Sequence, residues 1–171
     1  EPTSNALKIK KEINKIIWEE SPILSLLTDN CNHTETDIAN GGAKYNNYGV
    51  TAVSLGNTVK SIYNIKKFVY EEKKYTLKQL NEMRKNNFEG NEEIVTQLKQ
   101  QPNRYGTENE EIINLANSIT ECVDKILDTL PNKLGGKVKF GYSAPTYIME
   151  SGAVQASFDG RKDGEPFGVH I

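Results

Sequence analysis

Residues Lys137 to Ser143, KVKFGYS, set Val138, Phe140 and Tyr142 against Lys137, Lys139 and Gly141, the two-residue alternation of a strand with one buried face. No other stretch alternates as cleanly. A strand without neighbours leaves its backbone donors and acceptors unmet, so any fold for this chain must supply partners for it. Earlier in the chain AKYNNYGVTAV, Ala43 to Val53, mixes aromatic and β-branched residues and reads as a short strand. If the remaining sheet neighbours are missing, the 138–142 strand is expected to turn to non-native pairing, self-association or disorder.

The chain ahead of this strand is helical in pattern. Leu7, Ile9, Ile13, Ile16 and Ile17 form an apolar stripe, and Ser21-Pro22 has the chemistry that opens a new helix over ILSLLTDN, residues 23–30. Val59, Ile62, Ile65 and Val69 recur at helical spacing, with Gly56 expected to mark close packing where that helix begins. Thr76 with Gln79 predicts a capping box for LKQLNEMRKNNF, ended by Gly90; Thr107 with Glu110 predicts another for the longest helix. In that helix Ile112, Ala116, Ile119, Val123, Ile126 and Leu130 repeat at three and four, and Pro131 stops it. Seven of the 13 glycines lie beyond Pro131, so residues 132–171 are expected to be strand and loop, and 1–131 the helical part of the same domain. The fold class expected is α/β, predominantly helical with a few strands.

Charge and apolar content exclude several functions. Lys+Arg 21 against Asp+Glu 23 leaves a net charge of −2, which offers no attraction to nucleic acid or an anionic membrane surface. No window approaches the roughly 18 apolar residues of a membrane span, and EPTSNALKIKKE lacks the apolar core of a secretory signal. The expectation is a soluble, cytoplasmic protein whose two cysteines are reduced.

Complete catalytic constellations are absent from the residues. Cys31 and His33 stand near Glu35 and Asp37, but a closed metal site needs a second ligand pair, so the segment reads as a polar helix terminus and no metal is assigned. Cys122 falls on the apolar face of the longest helix and is expected to be a buried structural thiol. NGGAKYNNYG fits neither phosphate-loop spacing and reads as a tight turn with close backbone approach. Glu19-Glu20, Glu71-Glu72 and Glu110-Glu111 read as solvated helix termini. The most specific cluster is SFDGRKDGEPFG, in which Asp159-Gly160 and Asp163-Gly164 favour turns and Arg161 offers a planar fork; turn formation and carboxylate pairing account for it.

The segments GGAKYNNYGVTAVSLGNTVKSIYNIKKFVYEEKKYTLKQLNEMRKNNFEG, RYGTENEEIINLANSI and SFDGRKDGEPF, in that order and spacing, resemble the glycyl radical enzymes of the pyruvate formate-lyase type. The resemblance runs from about Ser21-Pro22 to the end of the chain. It implies a part of a ten-stranded α/β barrel enclosing a cysteine loop and a glycine loop. It also implies a glycyl radical installed by a radical-SAM activating enzyme, thiyl-radical hydrogen abstraction from a small-molecule substrate, and a homodimer. Members include formate acetyltransferases, diol and hydroxyproline dehydratases and other lyases.

Two family motifs are not found here: the short acidic motif around the catalytic cysteine and the RVxGY-like motif of the radical glycine. Neither Cys31 nor Cys122 matches the thiyl position, so no catalytic residue is assigned, no cofactor is expected to be bound by this segment, and the 171 residues are read as an internal segment, inactive alone. One role carries over: the tyrosine that faces substrate in dehydratase-type members matches Tyr142, with Ser143 beside it, against the alternative that Tyr142 simply continues the buried strand face. NNYGVTAVSLGN differs from the YNFTG-type segment of glycerol dehydratase-like members, which disfavours that subgroup. The competing functional class is a non-catalytic interaction or regulatory module that reuses the family's helical shell.

Overall fold

The structure, a computed structural model, describes residues 18–143 and 147–168; the side chains of 147 and 148 are left aside. The stripe over residues 7–17 therefore lies outside the described residues. In chain order the elements are α1 (Pro22–Leu26), α2 (Cys31–Thr34), a 3-10 turn (Ile38–Asn40), β1 (Tyr48–Ala52), α3 (Leu55–Ile65), a π-helical segment (Lys66–Glu71), α4 (Leu77–Lys85), α5 (Glu92–Lys99), α6 (Glu110–Leu127), β2 (Val138–Tyr142) and α7 (Tyr147–Ser151). This is the α/β, mainly helical composition that the periodicity predicts. β1 forms within the 43–53 segment that reads as a short strand, and the short α7 lies beyond residue 131. The described residues form two compact units, 18–51 with 121–141, and 52–120 with 142–143 and 147–168.

In the first unit β1 and β2 form a two-stranded sheet. The Tyr48 N–H donates to the Lys137 carbonyl at 2.9 Å, and the strands run parallel from there. One pairing partner of β2 thus lies inside the chain, in the 43–53 segment; its other edge has no neighbour among the described residues. Tyr48, Leu127 and Val138 are buried together beneath the sheet, with Phe140 partly buried. A side chain on Gly136 would collide with the Asn46 carbonyl, and one on Gly42 with the Thr36 carbonyl, so the Gly41-Gly42 segment is the close backbone approach expected of it.

Helix α1 is shorter than the predicted 23–30. Pro22 opens it, but the Ser21 side chain caps nothing. Instead the Asp37 carboxylate accepts from the Ser21 N–H at 3.1 Å, the Ser25 hydroxyl at 2.7 Å and the Ala39 N–H at 2.8 Å. Asn30, at φ 76, breaks the chain away before α2.

The second unit has two cores. Val59 and Tyr63 of α3 meet Ile112 and Ala116 of α6; Phe68, Leu80, Phe88, Ile94, Val95, Leu98 and Ala156 form the larger cluster. Leu80, Phe88 and Leu98 are wholly buried, each contributing about 1.5–3 kcal/mol of apolar transfer. Val59, Tyr63 and Phe68 are buried along α3 and the segment after it; of the predicted 59-62-65-69 face, Val59 is buried, Ile65 and Val69 pack partly buried against the larger core, and Ile62 is exposed. The step from Tyr63 to Phe68 spans five residues because the chain passes into the π segment, whose wider turn lengthens the inward spacing.

Capping is also redistributed. Thr76 and Gln79 form the expected box. Helix α4 nevertheless ends at Lys85, not at Gly90, because Asn87 takes φ 53 and lets the Phe88 N–H reach the Met83 carbonyl at 2.7 Å, while Asn87 N–H bonds Arg84. That is the paired 6→1 and 5→2 closure of a helix end, with Asn in the glycine position and Phe88 delivered into the core. At α6 the Thr107–Glu110 box does not form: Asn109 accepts from the Ile112 N–H at 3.2 Å, and Thr107 donates to the Arg104 carbonyl. Along α6 the expected stripe holds at Ile112, Ala116, Ile119, Val123 and Leu130, while Ile126 is exposed and Leu127 is buried in its stead.

Candidate functional site

One face of α3 organises the second unit's cavity. Asn57, Lys60 and Asn64, spaced three and four apart, all reach polar partners across it. Asn64 is completely buried and its amide donates to the Phe158 carbonyl at 2.8 Å and the Leu98 carbonyl at 3.2 Å. Lys60 Nζ donates to the Lys99 carbonyl at 2.7 Å. These two side chains therefore satisfy carbonyls that the C-terminal turn of α5 leaves unpaired.

Asn57 holds the Asp159 turn. Its Nδ2 donates to Asp159 Oδ2 at 2.5 Å and its Oδ1 accepts the Gly168 N–H at 2.8 Å. The other Asp159 oxygen accepts from the Ser157 hydroxyl at 2.5 Å and the Arg161 N–H at 3.2 Å. Gly160 follows at φ 93, where an added Cβ would lie 3.0 Å from the Val95 carbonyl and 2.9 Å from Lys99 Cγ. The turn is thus pressed against the last turn of α5, which only glycine allows.

The Arg161 fork behaves differently from the sequence expectation. Rather than a carboxylate, it takes backbone carbonyls: Glu165 at 2.8 Å, Val154 at 2.9 Å, Lys162 at 3.3 Å and Gln155. Its plane lies 4.9 Å from the Phe167 ring, and only 3% of it is exposed. Asp163 supplies the adjoining bond, accepting from the Ala156 N–H. Asp159, Gly160 and Arg161 are a clamp that fixes the loop beside a cavity wall.

That wall encloses a cavity of about 680 Å³ lined by the start of α3, Lys60, the Arg104–Thr107 loop, Asp159, Gly168 and both predicted site residues, Tyr142 and Ser143. Tyr142 does not extend the buried face of β2. It is 42% exposed, and its hydroxyl lies 2.9 Å from Thr120 Oγ1. Because Thr120 gives its one proton to the Ala116 carbonyl at 2.9 Å, it accepts from the phenol, whose oxygen can in turn accept from another hydroxyl. Ser143 extends the strand pairing through its N–H to the Ala52 carbonyl at 3.0 Å. Gly56 has ordinary contact with Tyr105, 3.8 Å from an added Cβ, so it opens the cavity wall rather than tightening it.

Lys60, Asn57 and Arg104 are the cavity residues that sequence reasoning passed over. The signal available was the polar 57-60-64 stripe on an otherwise apolar helix. Burial holds the Lys60 amine below its ordinary pKa, Asp159 opposes that, and the positive charges of Arg104 and Lys99 lower it further.

The remaining candidates lie elsewhere. Cys31 is buried, whereas Cys122 is exposed, because the α6 stripe turns past it. Neither lines the cavity. Asp37 is committed to Ser21, Ser25 and Ala39, and among the described residues no group of three potential ligands could hold a metal ion. No helix among the described residues is long and apolar enough to cross a membrane.

Comparison with known proteins adds the family. The pyruvate formate lyase-like family matches residues 5–150. The B12-independent glycerol dehydratase of Clostridium butyricum superposes with a TM-score of 0.78 at 31% identity, covering 87% of this chain and 19% of that one. The hydroxyproline dehydratase of Clostridioides difficile gives 0.79 at 25% identity, covering 87% and 19%; a structure from Roseburia inulinivorans concerned with 1,2-propanediol dehydration gives 0.78 at 28%, covering 87% and 20%. The chain thus spans about a fifth of the length of these solved structures and matches part of their barrel fold. With the family match covering most of the chain, it belongs to the pyruvate formate lyase-like family of glycyl radical enzymes.

Proposed function

We propose that this chain forms a substrate-facing wall of a glycyl radical lyase or dehydratase, with Tyr142 and Ser143 binding a hydroxylated small molecule. The observation that supports this is the position of both residues on the cavity wall next to Asp159. With its proton committed to Thr120, Tyr142 Oη accepts a hydrogen bond from a substrate hydroxyl, and the Ser143 hydroxyl can donate or accept beside it. The clamp around Asp159 and Arg161 keeps the wall rigid, so these contacts orient the substrate without further ordering.

The glycyl radical, installed by a radical-SAM activating enzyme, and the thiyl radical that takes a hydrogen atom from substrate belong to the rest of a cytoplasmic, homodimeric parent. The residues here do not fit either group: neither cysteine faces the cavity, and no step is assigned to them. Incubated with an activase and S-adenosylmethionine, the 171-residue chain should give no glycyl electron-spin signal and no turnover; a signal would refute the segment reading.

The wall itself is tested in the intact enzyme by Tyr142→Phe. Removing one hydrogen-bonding oxygen should weaken substrate binding about 2- to 10-fold across a panel of glycerol, 1,2-propanediol and trans-4-hydroxy-L-proline, whichever is bound. Unchanged affinity for every bound member would return Tyr142 to a purely structural place in β2.

A further inference from the structure

We infer that the cavity binds an organic anion, seating its carboxylate or phosphate against Lys60 and Arg104. This deepens the reading of the cavity as a substrate wall and rests on it for the word substrate, though not for the binding itself. The cavity's charge balance carries it. Two cationic side chains line the space against one carboxylate, Asp159. That carboxylate is already held by three donors, from Asn57, Ser157 and the Arg161 backbone. Among the described residues no carboxylate lies within ion-pair distance of Lys60 or Arg104, whereas neighbouring Lys99 has its own partner, Glu165, at 2.8 Å.

Lys60 is also held in place. Its bond to the Lys99 carbonyl keeps the ammonium on the wall, half withdrawn from water, where Asp159 attracts it and Arg104 and Lys99 repel it. A positive cluster under that strain is relieved by an anion more than by a neutral ligand, since each charge-assisted hydrogen bond is roughly twice as strong as a neutral one. The start of α3 adds to the same field. No side chain caps it, Ser54 standing at φ 64, and Gly56 leaves the backbone there open to a ligand. A neutral polyol meets none of these requirements. A hydroxy acid meets both halves of the site, its hydroxyl toward Tyr142 and its acid group toward Lys60 and Arg104.

Calorimetric titration of the intact, unactivated protein with sodium malonate, inorganic phosphate and glycerol tests the inference without turnover. The expected result is binding of malonate or phosphate, weakened about tenfold by Arg104→Gln and again by adding Lys60→Met, with no such dependence for glycerol. Malonate bound more tightly than phosphate identifies a carboxylate ligand, and the reverse order a phosphoryl one. Arg104 is exposed and holds no other side chain, so its replacement leaves the fold intact even if Lys60→Met, which loses the Lys99 bond, does not. No anion binding, or binding that Arg104→Gln leaves unchanged, overturns the inference. The two readings separate cleanly: anion binding sensitive to Arg104, alongside substrate affinity insensitive to Tyr142→Phe, removes the substrate-wall reading alone. Turnover of a neutral diol with KM unchanged by Arg104→Gln and lost with Tyr142→Phe removes the anion inference alone.

Discussion

Gly160 carries more structural consequence than its size suggests. It combines a left-handed φ of 93 with packing against Val95 and Lys99, whereas Gly164, at φ 76, has nothing within 4 Å of an added Cβ. Alanine at 164 meets only the left-handed penalty of about 1–2 kcal/mol; alanine at 160 adds a clash with a backbone carbonyl, and should cost about 1 kcal/mol or more beyond that. Denaturant midpoints of the two variants, compared at equal slope, measure the difference, and equal losses would mean that the α5 contact yields freely. Asp37 gives a second residue-scale test. The Ala39 N–H and the Ser25 hydroxyl hold its carboxyl below the ordinary 3.8, burial opposes them slightly, and the Ser21 N–H reinforces them. A carboxyl whose folded pKa is depressed contributes stability that is complete above its ordinary pKa and disappears as pH falls through the lower folded value. The amides of Ser21 and Ala39 should therefore shift with an apparent pKa under 3.8, and Asp37→Asn should remove that acid limb. A transition at or above 3.8 would contradict the bonding seen.

At the scale of elements, what was legible depended on whether a signal was local. The Thr76–Gln79 box needs only residues three apart and was readable; so were Pro22 as a helix opener and the 138–142 alternation. Gly90 and Thr107 looked equally local, yet Asn87 and Asn109 took their roles, because an asparagine side chain or a left-handed asparagine does the same work. The π segment could not be read from a 3.6-residue period at all, and it turns Phe68 inward five residues after Tyr63. In the cavity, Tyr142 and Ser143 came from resemblance, while Lys60 and Arg104 were missed because the loop and helix that carry them are brought together only by tertiary packing. The cap assignment makes a sharp comparison: Asn109→Ala should destabilise α6 by about 1 kcal/mol, and Thr107→Ala by clearly less, since its hydroxyl serves only the Arg104 carbonyl. Thermal unfolding of both variants decides it, and a larger loss at Thr107 would restore the box.

For the whole molecule the decisive contrast is between completed cores and an incomplete sheet. Leu80, Leu98 and Ile112 have no exposed surface, so the helices that carry them open only when their clusters do. The β1–β2 pair is different in kind. Two strands alone are marginal in water, and among the described residues this sheet has no third. The relatives that the chain matches are five times longer, and a barrel strand is built to have a neighbour on each side. Amide hydrogen exchange on the 171-residue chain should therefore find Gly49 to Ala52 and Lys139 to Tyr142 opening orders of magnitude faster than Leu80, Leu98 and Ile112, while in any longer protein that supplies the sheet with further strands the two groups should converge. Slow strand exchange in the short chain would mean that the free edges have found a partner. If that protection then rose with protein concentration, the partner would be a second copy pairing edge to edge, as the isolated strand was expected to do, and the intramolecular pair would be only half of its sheet.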